Sequence, residues 1–96
     1  MAKLSYLASV GQTRAVLEQH GLMIKKALGQ HFLINDGVVQ RICDLAYLTP
    51  ADNVVEIGPG IGTLSVALLQ RAGNVVAIER DSDLPAVLSQ TCDLWK

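Results

Sequence analysis

The chain has 96 residues, half of them hydrophobic, and a formal charge of −1. That length allows one small domain, whose core buries proportionally less surface than that of a typical enzyme domain. The near-neutral balance excludes a polybasic or polyacidic chain, although residues 1–36 carry a net +2 and residues 37–96 a net −3.

Residues 1–12 show no strong pattern, and Gly11 and Gln12 read as a break. Thr13 is expected to cap a short helix, Arg14 to Gln19, with Val16 and Leu17 apolar and Gly21 closing it. His20 then lies near helix carbonyls, where a cation is favoured. From Lys25 to Asp36 the sequence follows neither a period of 2 nor one of 3.6, so it reads as an irregular loop leading into a helix. Asn35 or Asp36 caps that helix, at about 37–47. Val38, Val39, Ile42, Leu45 and Ala46 should face the core, with Cys43 beside them. Thr49 to Asn53 is a turn, because Pro50 cannot extend the helix.

Val54-Val55-Glu56-Ile57 is an apolar run suited to a strand buried on both faces of a parallel sheet. Gly58, Gly60 and Gly62 then remove Cβ atoms where the backbone turns tightly and a ligand can approach. A helix at about 63–72, with Leu64, Ala67, Leu68 and Leu69 apolar, points its first N–H groups at the same place, where negative charge is favoured. Gly73 is expected to end it in a left-handed cap. A second strand, at about 74–79, ends on Glu79. Ser82 should cap a last helix at about 83–93, with Pro85 in its first turn and Leu84, Val87, Leu88 and Cys92 inward. The order is helix, β, α, β, α, the start of a doubly wound α/β sheet. With only two strands, that sheet leaves an open edge and an uncovered face.

Ligands of such sheets sit outside the carboxyl ends of the strands, where Gly58 and Glu79 both fall. The glycines run G-x-G-x-G, and Ser65 stands where a dinucleotide fingerprint would need its last glycine. The E-x-G-x-G-x-G pattern instead resembles the first motif of the S-adenosylmethionine-dependent methyltransferases. A carboxylate only accepts hydrogen bonds and a ribose diol offers two donors, so Glu79 suits a nucleoside ribose. The bland alternative is a glycine-rich turn beside a solvated glutamate. Cys43 and Cys92 stand far apart, with no Cys-x-x-Cys or Cys/His cluster, and read as free thiols in a reducing compartment. We expect no metal site, no membrane span or secretory segment, and a cytoplasmic location.

Three ordered motifs are more specific than the turn alone. Lys26-Ala27-Leu28-Gly29-Gln30-His31-Phe32-Leu33, the segment from Val55 to Leu64, and Val76-Ala77-Ile78-Glu79-Arg80-Asp81 together resemble the ribosomal RNA adenine dimethyltransferase family, small-subunit branch. The large-subunit branch is similar, and Gly29 and Pro59 fit the small-subunit branch better. The resemblance implies a Rossmann-like class I methyltransferase fold, begun by N-terminal helices and βαβα. It implies transfer of methyl groups from S-adenosyl-L-methionine to N6 of adenines in 16S ribosomal RNA, by a monomer acting on the small ribosomal subunit. Carried onto this chain, His31, Leu33, Gly58, Gly60 and Glu79 would bind the cofactor. Gly62 would shape the turn and Glu56 would support it from beneath. Lys25 and Lys26 are plausible RNA-phosphate contacts by charge, or simply a solvated pair.

The resemblance also implies an acid after the third strand and an Asn-Leu-Pro-Tyr motif that holds the target base, and neither is among these residues. No catalytic residue is therefore assigned. The expected organisation is a helical extension over 1–24 and, over 25–96, the N-terminal part of a truncated cofactor domain, inactive alone. The competing readings are a small non-catalytic nucleotide- or RNA-binding module and a fragment of a large-subunit RNA methyltransferase. A nicotinamide-dependent reductase fragment fits neither the glycine spacing nor the Gly29-Gln30-His31-Phe32-Leu33 segment.

Overall fold

The apolar run, the glycine turn and the acid-tipped second strand form the β-α-β unit that their order requires. The computed structural model describes residues 3–23 and 32–93. Over these, α1 (Val10–Gln19) and α2 (Asp36–Leu45) precede β1 (Asn53–Ile57), α3 (Thr63–Arg71), β2 (Asn74–Ile78) and α4 (Leu84–Thr91). The strands pair in parallel from Asn53 opposite Asn74 to Ile57 opposite Ile78, and α3 is the crossover that parallel neighbours need.

α3 is buried on most of its circumference because two apolar clusters meet on it. Val66 joins Leu7, Val16, Leu17, Ile61, Leu84, Val87 and Cys92. Ala67 and Leu68 join Ala8, Val39 and Cys43, against which Val54 and Val75 of the sheet also pack. The other sheet face is bare. Val55 is 62% exposed and Ile57 73%, with Val76 and Ile78 beside them. The strands are therefore covered on one face, not two. The pleat alternates side chains, and only α3 and its neighbours are present to bury one set.

The N-terminal arm corrects the reading of residues 1–12 as patternless. Leu7 is fully buried and Ala8 nearly so, and each enters a different cluster. The arm is pinned by Asp36, whose carboxylate accepts the Leu4 N–H at 3.0 Å and the Ser5 N–H at 2.8 Å. Gln40 donates to the same group at 2.6 Å.

Four local expectations also change. Helix α1 begins at Val10, not Arg14, because the Ser9 hydroxyl accepts the Gln12 N–H at 3.0 Å. Gly11 and Gln12 lie in its first turn, and Thr13 is buried rather than a cap. Asn35, not Asp36, caps α2, and that helix turns Val39 and Cys43 inward while Val38, Leu45 and Ala46 stay exposed. Gly73 is not left-handed; among the described residues the left-handed glycines are 21, 58, 60 and 62. It is glycine because a Cβ there would stand 2.1 Å from the Pro50 carbonyl oxygen. Before α4, the cap position falls on Asp83 rather than Ser82 and no side chain caps the helix; Asp81 forms the turn leading into it, its Oδ1 accepting the Asp83 N–H at 3.0 Å and its carbonyl the Leu84 N–H at 3.1 Å. Pro85 does fall in the first turn of α4.

Candidate functional site

The turn between β1 and α3 keeps three glycines in the left-handed region, Gly58 at φ +67°, Gly60 at +62° and Gly62 at +98°. An L side chain rarely adopts that conformation, so the spacing G-x-G-x-G follows from the path of the backbone. Their surroundings differ. A Cβ on Gly58 would meet nothing within 4 Å, so the carboxyl end of β1 is open. A Cβ on Gly60 would stand 3.0 Å from the Phe32 ring, and one on Gly62 would stand 2.9 Å from the Thr91 hydroxyl. The turn thus presents bare backbone at Gly58 and is packed from behind at Gly60 and Gly62.

Glu79 follows β2 and is tied to this turn. Its Oε1 accepts the Gly60 N–H at 3.1 Å and its Oε2 accepts the Asp81 N–H at 2.9 Å. A carboxylate has about four acceptor positions, so two protein donors leave capacity on both oxygens. Gly58 itself donates to the Ile78 carbonyl at 2.8 Å, which locks the two strand ends together just before the acid. Beneath the turn, Glu56 is buried and accepts the Ser65 hydroxyl at 2.5 Å. Burial pushes its carboxyl above the usual range, and the Ser65 hydrogen bond opposes that only in part.

Helix α3 starts directly after Gly62, which gives it no side-chain cap. Its first N–H groups have no partner within the helix and face the end where the turn emerges. An open glycine, a positioned carboxylate and a helix N-terminus therefore converge at adjacent strand ends. Together they offer acceptors for a diol, room against backbone and a favourable place for negative charge.

Of the expected site residues, the structure brings together Gly58, Gly60 and Glu79. Leu33 is half-buried and packs on the cluster of Ala8, Val39, Cys43, Ala67 and Leu68. His31 lies outside the described residues, as do Lys25 and Lys26. Two neighbours of the turn were not anticipated. Phe32 lies against Gly60, and its place inside the Gly29-Gln30-His31-Phe32-Leu33 segment was the available signal. Thr91 touches the turn from α4 and carried no signal in the sequence. Among the described residues, no group of three or more His, Cys, Asp or Glu could hold a metal ion, and no helix is long and apolar enough to cross a membrane. Cys43 and Cys92 are both buried.

A family model described as Ribosomal RNA adenine dimethylase matches residues 21–95. The chain belongs to the ribosomal RNA adenine dimethylase family. Among curated relatives, a Ribosomal RNA small subunit methyltransferase A of Pediococcus pentosaceus is 48% identical over 80 residues, covering 83% of this chain and 27% of the relative. Its namesake from Listeria monocytogenes is 45% identical over 89 residues, covering 93% of this chain and 30% of the relative. Of the solved structures, a dimethyladenosine transferase from Plasmodium falciparum superposes with a TM-score of 0.63 at 36% identity, over 67% of this chain and 24% of that one. The chain thus spans under a third of the length of the relatives it matches. Family membership and the α/β unit agree with what the three sequence motifs implied. The family is a methyltransferase family, and the glycine turn and Glu79 fall within the matched residues.

Proposed function

We propose that these residues form the ribose- and methionine-binding part of an S-adenosyl-L-methionine site, in an enzyme that dimethylates N6 of adenines in small-subunit ribosomal RNA. The observation that carries the reading is the Glu79 carboxylate, held at the tip of β2 by the Gly60 and Asp81 N–H groups with acceptor capacity to spare. The residues present fit the cofactor. Glu79 would take the ribose hydroxyls, and Gly58, with open space where a Cβ would be, would let the cofactor approach the backbone. The N-terminus of α3 would face the cofactor's carboxylate. Gly60 contributes through its N–H, which orients Glu79. His31 and Leu33, from the segment before α2, complete the proposed set. When bound, S-adenosyl-L-methionine supplies an activated methyl group; the protein's part here is to hold and orient it.

The names of the curated relatives support ribosomal RNA of the small subunit as substrate. The reading includes a cytoplasmic monomer that needs neither metal nor membrane. Residues 1–24 serve as a helical extension and 25–96 as the N-terminal part of the cofactor domain, with both apolar clusters shared between them. A base must leave its stack to react at an exocyclic amine, and the Asn-Leu-Pro-Tyr motif that the family resemblance assigns to holding it is not among these 96 residues. The 96-residue chain alone is therefore expected to transfer no methyl group.

Calorimetric titration with S-adenosylmethionine and S-adenosylhomocysteine tests the site. Binding that Glu79→Ala weakens about tenfold or more supports it, the loss of charge-assisted hydrogen bonds being worth that much. Binding that is indifferent to Glu79, or a preference for NADH, overturns it. Methyl transfer to small-subunit RNA by the chain alone would overturn the expected inactivity.

A further inference from the structure

The glycine turn is held from a direction that its own motif does not explain. The Thr91 hydroxyl, buried at the end of α4, donates to the Ile61 carbonyl at 2.7 Å, in the middle of the turn. The same oxygen lies where a Cβ on Gly62 would stand at 2.9 Å, so Thr91 fills the space that this glycine leaves. The Leu88 carbonyl, at 3.5 Å, is a much weaker acceptor for that hydrogen. One link further out, the Tyr6 hydroxyl donates to the Thr91 carbonyl at 2.9 Å.

We infer that Thr91 is a positioning residue for the cofactor turn and that Tyr6 secures it, so that the N-terminal arm sets the shape of the site although it touches no ligand. This rests on the cofactor reading above. The turn is bonded on both sides. Glu79 takes the Gly60 N–H from the β2 side, and Thr91 takes the Ile61 carbonyl from the α4 side. The two bonds therefore fix the peptide planes on either side of the Gly60–Ile61 link, Pro59–Gly60 by its N–H and Ile61–Gly62 by its carbonyl. Removing the hydroxyl leaves a buried carbonyl unpaired, a cost that falls on the turn itself.

The test uses the full chain with Thr91→Val, Thr91→Ser, Tyr6→Phe and Val87→Ala. Val87, on the same helix as Thr91, packs in the apolar cluster of Ile61 and Cys92 but makes none of these hydrogen bonds, so it reports on stability alone. S-adenosylhomocysteine affinity is measured by titration, and amide exchange at Gly60 and Gly62 by NMR. The expected result for Thr91→Val is about fivefold to tenfold weaker binding and exchange faster by a similar factor. Tyr6→Phe should shift both in the same direction by less. Thr91→Ser should restore both, and Val87→Ala should lower Tm while changing neither. Equal effects of Thr91→Val and Val87→Ala at matched stability, or no rescue by serine, would overturn the positioning role. If Thr91→Val does not fold, Tyr6→Phe decides, and unchanged exchange at Gly62 counts against the inference. If the unaltered chain binds no S-adenosylhomocysteine, the cofactor reading fails separately, and the exchange data alone still decide whether Thr91 anchors the turn.

Discussion

Gly58, Gly62 and Gly73 each lack a side chain for a different reason, and alanine should expose the difference. At Gly58 only the left-handed backbone resists, so Gly58→Ala should cost about 1–2 kcal/mol of stability while obstructing the open strand end. Gly62→Ala adds a clash with Thr91, Cys92 and Leu88, worth about 1–3 kcal/mol more. At Gly73 the backbone is unstrained, but the Pro50 carbonyl blocks a Cβ outright. Urea midpoints should place Gly58→Ala as the mildest of the three, and cofactor titration should place it as the most harmful to binding for its loss of stability. Glu56 gives a second expectation, in pH. Burial raises its folded pKa above its unfolded value, so its contribution to stability is fully present below the unfolded value. That contribution is lost as pH rises through the folded value. Glu56→Gln, which cannot ionise, should therefore gain in Tm over the unaltered chain on going from pH 4 to pH 7; a constant difference would refute this. Glu79 and the glycines were legible because their meaning lies in short spacings. Thr91 and Phe32 were not, because their contacts with the turn depend on how separate elements pack.

The helices and strands were largely readable, since apolar periodicity and Pro, Gly and Asn punctuation act locally. At the helix starts, several nearby residues were chemically able to cap, and local sequence does not rank them. Ser9 starts α1 ahead of Thr13, Asn35 is the one of the two expected candidates that caps α2, and α4 starts after Asp83 with no side-chain cap although Ser82 stands beside it. Asp36 was released from capping to hold the arm, which no local pattern encodes. Its own burial works against ionisation, but the hydrogen bonds from Ser5, Gln40 and Leu4, together with the charge of Lys3, outweigh it and lower its pKa. The stability this gives is present above the unfolded pKa and lost as pH falls through the folded one. Asp36→Ala should cost about 1–3 kcal/mol at pH 7 and speed amide exchange at Leu4 and Ser5. The deficit should shrink in acid, where the unaltered carboxylate is protonated too. A pH-independent deficit would mean that Asp36 acts by packing alone.

Taken as a whole, the molecule has one well-covered side and one bare one. Val55, Ile57, Val76 and Ile78 form a contiguous apolar strip on a sheet whose outer edges are unpaired among the described residues, an arrangement prone to adhesion. Ile57→Thr with Ile78→Thr should reduce dye binding and light scattering of the 96-residue chain with little change in Tm. Unchanged scattering would place the adhesive surface elsewhere. The covered side has a different property. The Tyr6 bond to Thr91 joins positions 85 residues apart in sequence, and Leu7 packs in the same cluster as Leu84 and Val87. During synthesis the arm is therefore made well before the helix that completes its contacts. At about 5–20 residues per second, roughly 4–17 s separate the translation of Tyr6 from that of Thr91. Throughout that interval Leu7 has Val16, Leu17, Ile61 and Val66 as they emerge but no native partner in α4, so its cluster stays incomplete until α4 is made.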